Sequence, residues 1–121
     1  MNITRKDVDA VNAVLTVQIA KADYAEKVEK TLKDYRRKAN VPGFRPGMVP
    51  VGLVKKMYGK AVLAEEVTKT LADGLVGYIR ENNLQVLGEP LPNETEQKPV
   101  NFDTDEDFEF VFDVALAPEI N

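Results

Sequence analysis

The sequence contains no cysteine and no histidine. Without cysteine there is no disulfide and no thiolate chemistry, a composition that suits a reducing compartment. Without histidine the chain lacks the commonest general base and the commonest metal ligand. Long apolar runs are missing as well, and nothing approaches the roughly 18 consecutive apolar residues of a membrane span. The first residues do not read as a secretory leader. Arg5 and Lys6 are followed by Asp7 and Asp9, and the apolar stretch 11–20 is interrupted by Asn12, Thr16 and Gln18. These absences leave a soluble cytoplasmic protein with no membrane partner as the expectation. They also leave only Asp, Glu, Lys and Tyr for any acid–base catalysis.

What is present is ordinary in total and uneven in distribution. Of 121 residues, 44% are apolar and 30% charged, as in a single globular domain able to bury its core without staples. Net charge is −4. Between Lys27 and Lys60, however, ten cations face only two anions, Glu29 and Asp34, giving +8; the rest of the chain carries six cations and eighteen anions, giving −12. A basic segment inside an acidic protein points to a polyanionic partner for that segment alone.

The apolar pattern switches period along the chain. Ala13, Leu15, Val17 and Ile19 alternate with Val14, Thr16 and Gln18, which predicts a strand, with a shorter one around Ile3 to Arg5 before it. Asp23 and Glu26 form a variant capping box that opens a helix over 23–38. Its stripe is Tyr24, Val28, Leu32, Tyr35 and Ala39, and its other faces carry Lys27, Lys30, Lys33, Arg36 and Arg37. Pro50 is placed to start a second, short helix, with Gly59 as its stop. A third helix over 60–82 has Leu63, Val67, Leu71 and Leu75 as its buried stripe. Residues 84–87 read as a short strand closed by Gly88, Pro90 and Pro92. Residues 93–107 are polar and acidic and read as a long solvated loop or flexible hairpin. Phe108, Phe110, Phe112, Val114 and Leu116 alternate with Glu109, Val111, Asp113 and Ala115 in a final strand that ends at Pro118. It runs on into Glu119, as if the domain were cut from a longer protein. The expected class is α+β: a small antiparallel sheet containing 13–19 and 108–116, helices packed on one face, and a protruding loop. Residues 1–121 show no repeat and no internal boundary, so one domain is expected.

The protruding loop is the informative segment. Val41 to Pro50 hold three prolines and two glycines in ten residues, which excludes helix and central strand. Phe44 sits between chain-bending residues, where burial is difficult. Beside it Arg45 offers five donors suited to carboxylate or phosphate. A stiff loop loses less entropy on binding, and an aromatic next to an arginine is what the centre of a protein interface tends to contain. On the residues alone, the alternative in which Phe44 folds back as a core plug and Arg45 is a solvated charge stays as open as an interface.

The segment resembles the trigger factor signature Gly-Phe-Arg-x-Gly-x-x-Pro, matched by Gly43, Phe44, Arg45, Gly47 and Pro50. The basic helix before it, the Tyr58-Gly59 pair and the final strand running into Pro118 resemble the same family, across essentially the whole chain. The resemblance implies a ribosome-binding domain at the nascent-chain exit. Its contacts would be with a ribosomal protein, through Gly43, Phe44, Arg45, Pro46, Gly47 and Met48, and with adjacent ribosomal RNA. It implies no cofactor, and the nascent polypeptide as a further partner. Members can self-associate through this domain, which leaves a homodimer open. Full-length members continue into an FKBP-like isomerase domain and a helical chaperone domain, neither of which lies in these residues, so no isomerase activity is expected. Pro46 and Met48 stand where many members carry Lys, which takes two cations from the tip. Lys30, Lys33, Arg36 and Arg37 are either a solvated helix face or an RNA contact. A free-standing RNA-binding α+β domain is the alternative. It would need exposed aromatics on a basic sheet face, whereas Phe108, Phe110 and Phe112 alternate with acids. A small enzyme using carboxylates and lysine is a third reading, without a convergent cluster to support it.

Overall fold

A computed structural model describes residues 1–118; Glu119, named above, lies outside the described residues. The elements are β1 (Asn2–Asp7), β2 (Asn12–Ile19), α1 (Ala25–Lys38), α2 (Val51–Glu81), β3 (Val86–Pro92) and β4 (Phe108–Leu116). The strands form one antiparallel sheet in the order β1-β2-β4-β3. β2 and β4, the two strands that the alternation predicts, occupy its centre. Leu15 lies opposite Phe112, Val17 opposite Phe110 and Ile19 opposite Phe108. Directly opposed residues share a face, so Phe110 and Phe112 point the same way. That face meets Val67 and Leu75 of α2, with Leu63, Leu71 and Tyr78 beside them.

The sheet is only one of two packing centres. A second cluster joins Leu32, Ala39, Val49, Val54 and Val62, and it contains no strand residue. The C-terminal half of α1 and the N-terminal half of α2 therefore pack on each other and not on the sheet. From α1, the sheet core receives only Val28, with Tyr24 just before the helix. The helices pack on one face of the sheet as expected, and beyond it the C-terminal half of α1 and the first turns of α2 continue as a hairpin arm with its own core. With 31 residues, α2 is about 46 Å long at 1.5 Å per residue, which carries its first turns well clear of the strands.

Four local expectations are corrected. The second and third helices are one: α2 runs through Gly59, whose φ is not left-handed. A helical glycine costs about 1 kcal/mol against alanine, and Val54 and Val62 on either side are each 1% exposed, burial that outweighs the cost. At the start of α1, Asp23 acts backward: its carboxylate accepts the Ala20 N–H at 2.8 Å, and Lys21–Asp23 form a 3₁₀ turn before α1 begins at Ala25. Tyr35 is not buried in the stripe but 39% exposed, with its ring stacked on Tyr58 at 5.1 Å. Finally, β3 runs through Gly88 and both prolines, with a register irregularity between Leu87 and Leu91. It is an edge strand, where proline is tolerated because no outer neighbour needs its N–H.

The acidic tract 93–107 is also more than a solvated loop. Beyond the end of β3, the Gln97 side chain continues the pairing with β4: its Oε1 accepts the Val111 N–H and its Nε2 donates to the Glu109 carbonyl, both at 2.9 Å. Val100 and Phe102 then pack on the sheet core, with the Phe102 ring 5.2 Å from that of Phe108. The Tyr24 hydroxyl donates to the Glu106 carbonyl. Lys60 on α2 pairs with Asp103 at 2.9 Å, and Lys6 on β1 with Glu96 at 3.3 Å.

Candidate docking tip

The connection between α1 and α2 is built from two tandem turns. Phe44 N–H donates to the Val41 carbonyl at 3.1 Å, and Met48 N–H to the Arg45 carbonyl at 2.9 Å. Each turn has proline second and glycine third. Gly43 has φ +89° and Gly47 φ +83°, which with proline before each is the type II pattern. Proline pre-sets the first torsion, and only glycine adopts the second without strain. An added Cβ at either glycine would meet nothing within 4 Å. These glycines are therefore required by torsion and not by crowding.

The loop is fastened to the arm from beneath. Val49 is fully buried in the arm cluster, and the Arg36 Nε donates to its carbonyl at 2.7 Å. Phe44 stands 42% exposed and Met48 66%. Pro46 and Arg45 are exposed too. Among the described residues Arg45 has no ion pair, so its guanidinium is free to meet a partner. The open choice at Phe44 is thus decided by geometry: the ring is not a core plug.

The four basic-helix positions separate. Lys30 and Lys33 are exposed on the outer face of α1. Arg37 is exposed and 3.6 Å from Asp34, a surface pair of small value. Arg36 is half-buried and engaged with Val49, so it holds the loop and does not share the outward face. The structure therefore separates Arg36 from the other three.

Between Asp34 and Glu65 there is no acid at all, while Arg36, Arg37, Lys38, Arg45, Lys55, Lys56 and Lys60 fall in that interval. The upper arm and tip therefore carry positive potential, reduced where Lys55 reaches Glu29 at 3.5 Å and where Lys60 reaches Asp103. Val51, 49% exposed in the first turn of α2, adds apolar surface beside the loop. Among the described residues, no group of three or more Asp and Glu is placed to hold a metal ion. No described helix is long and apolar enough to cross a membrane.

A sheet base, a helical arm and a stiff exposed tip define a small α+β module. Comparison with known proteins places it more closely. The chain belongs to the family described as bacterial trigger factor protein (TF), whose model matches residues 1–121. It is 33% identical to the trigger factor of Azospirillum brasilense over 99% of its length, and 36% identical to that of Rickettsia prowazekii over 78%. It spans about a quarter or less of those relatives, 26% and 20% respectively. Two solved structures share the fold. One, described as "Promiscuous Substrate Recognition in Folding and Assembly Activities of the Trigger Factor Chaperone", matches 98% of this chain and 27% of its own, at a TM-score of 0.65 and 19% identity. The other concerns domains of trigger factor from "Themotoga maritima" and matches 84% of this chain and 90% of its own, at 0.53 and 22%.

Proposed function

We propose that residues 1–121 are a ribosome-binding domain that docks a trigger-factor-type chaperone beside the nascent-chain exit, where it assists co-translational folding in the cytoplasm. The single observation behind this reading is the tip. Phe44 and Arg45 stand exposed on a proline-braced loop, Arg45 without an ion pair among the described residues, at the end of an arm with its own core. Gly43, Phe44, Arg45, Pro46, Gly47 and Met48 form the contact with a ribosomal protein. Lys30, Lys33 and Arg37 lie on the flank, toward ribosomal RNA, and attract the ribosome from a distance. The nascent polypeptide is the client, and the isomerase and C-terminal chaperone domains of the family are not among these residues.

Co-sedimentation with bacterial ribosomes tests the reading. The chain should pellet with ribosomes at low salt, where screening is weakest. Phe44→Ala and Arg45→Ala should each weaken docking by about 1–3 kcal/mol, mainly through faster dissociation. Neutralising Lys30, Lys33 and Arg37 together should slow association at a smaller cost per residue. A double alanine substitution at 44 and 45 that left affinity unchanged would reduce the loop to a structural turn. The rival RNA-binding domain is disfavoured, because Phe108, Phe110 and Phe112 pack in or against the core and offer no stacking platform.

A further inference from the structure

We propose that the free edge of β1 takes an extended polypeptide as a fifth strand of the sheet, and that the hollow between β1 and α2 receives one basic side chain of that segment. The inference rests on an unfolded polypeptide being the client and names where such a chain is held; the tip takes no part in it. The two edges of the sheet differ. β3 is guarded: Pro90 and Pro92 remove N–H donors, its register slips between Leu87 and Leu91, and Gln97 closes β4 beyond its end. β1 has none of these devices. Its six residues, Asn2–Asp7, include no proline or glycine and pair with β2 without irregularity. All but Ile3 are exposed. Charge is the remaining guard of an edge, and here the cations are engaged, Arg5 with Asp7 at 2.7 Å and Lys6 with Glu96 at 3.3 Å.

The hydrogen-bond alternation fixes which backbone groups are free. In an antiparallel pair, hydrogen-bonded residues recur at every second position. Val8 N–H donates to the Asn12 carbonyl at 2.9 Å, and Leu116 N–H to the Val11 carbonyl at 2.8 Å. Even-numbered residues of β2 therefore bond toward β1, and odd-numbered ones toward β4. In β1 the even-numbered residues face β2, and Ile3, Arg5 and Asp7 turn their N–H and C=O groups outward. Ile3 lies opposite Val17, on the helix side of the sheet. A strand added beside Ile3 places the directly opposed side chain on that same face. There it meets a hollow of about 450 Å³ lined by Ile3, Thr70, Asp73, Gly74, Tyr78 and Glu81.

Charge identifies the side chain that fits. Asp73 and Glu81 are exposed and have no ion pair among the described residues. Asp23, on the rim, is taken by the Met1 amino group at 2.9 Å, which leaves two free acids against the single side-chain cation of the lining, Lys27. Thr70 is 4% exposed, yet its Oγ1 has no hydrogen-bond partner among the described residues, and a buried hydroxyl in that state calls for one. Tyr78 adds an aromatic ring, whose face attracts a cation. A lysine or arginine side chain matches the acids, the hydroxyl and the ring together.

The experiment follows the fluorescence anisotropy of short unstructured peptides, alternating threonine and valine with arginine or glutamate at the centre, as the 121-residue chain is added. The arginine peptide should bind about fivefold more tightly, the scale of exposed charge pairs. Asp73→Asn combined with Glu81→Gln, both at exposed sites, should erase that difference. Arg5→Pro removes one outward N–H and leaves the bonds to β2 in place, as proline in an edge strand does. It should weaken both peptides about three- to tenfold, the loss of one backbone hydrogen bond. N-methylation of the peptide's central residue should do the same with the wild-type chain, which keeps the test independent of how Arg5→Pro folds. Equal affinity for the two peptides, or affinity indifferent to N-methylation, would overturn the inference. A dimer seen by analytical ultracentrifugation that Arg5→Pro dissociates would overturn it too, and would assign the edge to a second copy. None of these substitutions touches the tip, so ribosome co-sedimentation should stay unchanged. A chain that pellets with ribosomes and binds no peptide would therefore overturn this inference alone.

Discussion

Two glycines, twelve residues apart, are expected to respond to the same substitution with opposite sign. Gly59 lies within α2, and a Cβ added there meets nothing within 4 Å. Alanine loses no packing at that site and gains the helix-propensity difference, about 0.8–1.0 kcal/mol. For a chain of 121 residues, an unfolding entropy near 2.1 cal/mol/K per residue converts 1 kcal/mol into a midpoint shift of about 4 °C. Gly47 is equally uncrowded, but its φ is +83°. A left-handed torsion costs an L-residue roughly 1–2 kcal/mol, so Gly47→Ala should lower the midpoint by about 4–8 °C. Thermal unfolding followed by far-UV circular dichroism reads both. A lowered midpoint for Gly59→Ala would mean that α2 breaks at Gly59 into two helices. A raised midpoint for Gly47→Ala would mean that the second tip turn is not type II. Either result would refute the argument for a continuous arm ending in a torsionally fixed tip.

Three further outcomes follow from particular contacts. Arg36→Ala removes the donor to the buried Val49 carbonyl and should destabilise by about 1–3 kcal/mol, whereas Lys30→Gln and Lys33→Gln should stay within about 0.5 kcal/mol; urea unfolding in which all three behave alike would count against the split. Gln97→Ala leaves the Glu109 carbonyl and Val111 N–H without their side-chain partner, and amide hydrogen exchange at Val111 should quicken markedly, an unchanged rate arguing that the tract is not seated. Burial holds the Tyr24 hydroxyl above its ordinary value of 10.0, with Glu106 and Asp107 adding to the effect. Because that folded-state value is raised, the contribution is full below pH 10.0 and is lost as pH rises through the folded value. Tyr24→Phe should therefore flatten the alkaline limb of the stability curve in pH-dependent denaturation, and an unaltered limb would contradict it.

The sequence by itself determined the features whose signals are local. Alternation in 13–19 and 108–116 set two strands and their buried faces, because a period of two leaves one arrangement that buries Leu15, Val17, Phe108 and Phe110 together. Two Pro-Gly pairs set the tip turns, since each residue restricts its own torsions whatever surrounds it. The family, too, was legible in Gly43, Phe44, Arg45, Gly47 and Pro50. Tertiary structure alone decided the rest. Gly59 reads as a stop by propensity, and only burial of Val54 and Val62 across the hairpin carries α2 through it. Arg36 and Arg37 are indistinguishable by charge, but the 100° step between successive helix positions aims one at the Val49 carbonyl and the other at solvent. The tract 93–107 has the composition of a solvated loop, and it is ordered by a place left vacant beside β4, which Gln97 fills from a distance in sequence. Exposure of Phe44 was likewise undecided until the arm was seen to lift the tip away from the sheet core. Strand period and turn torsions act within a few residues and can be read in order along the chain. Helix continuity, side-chain engagement and exposure depend on which segments meet, and that is a property of the folded chain.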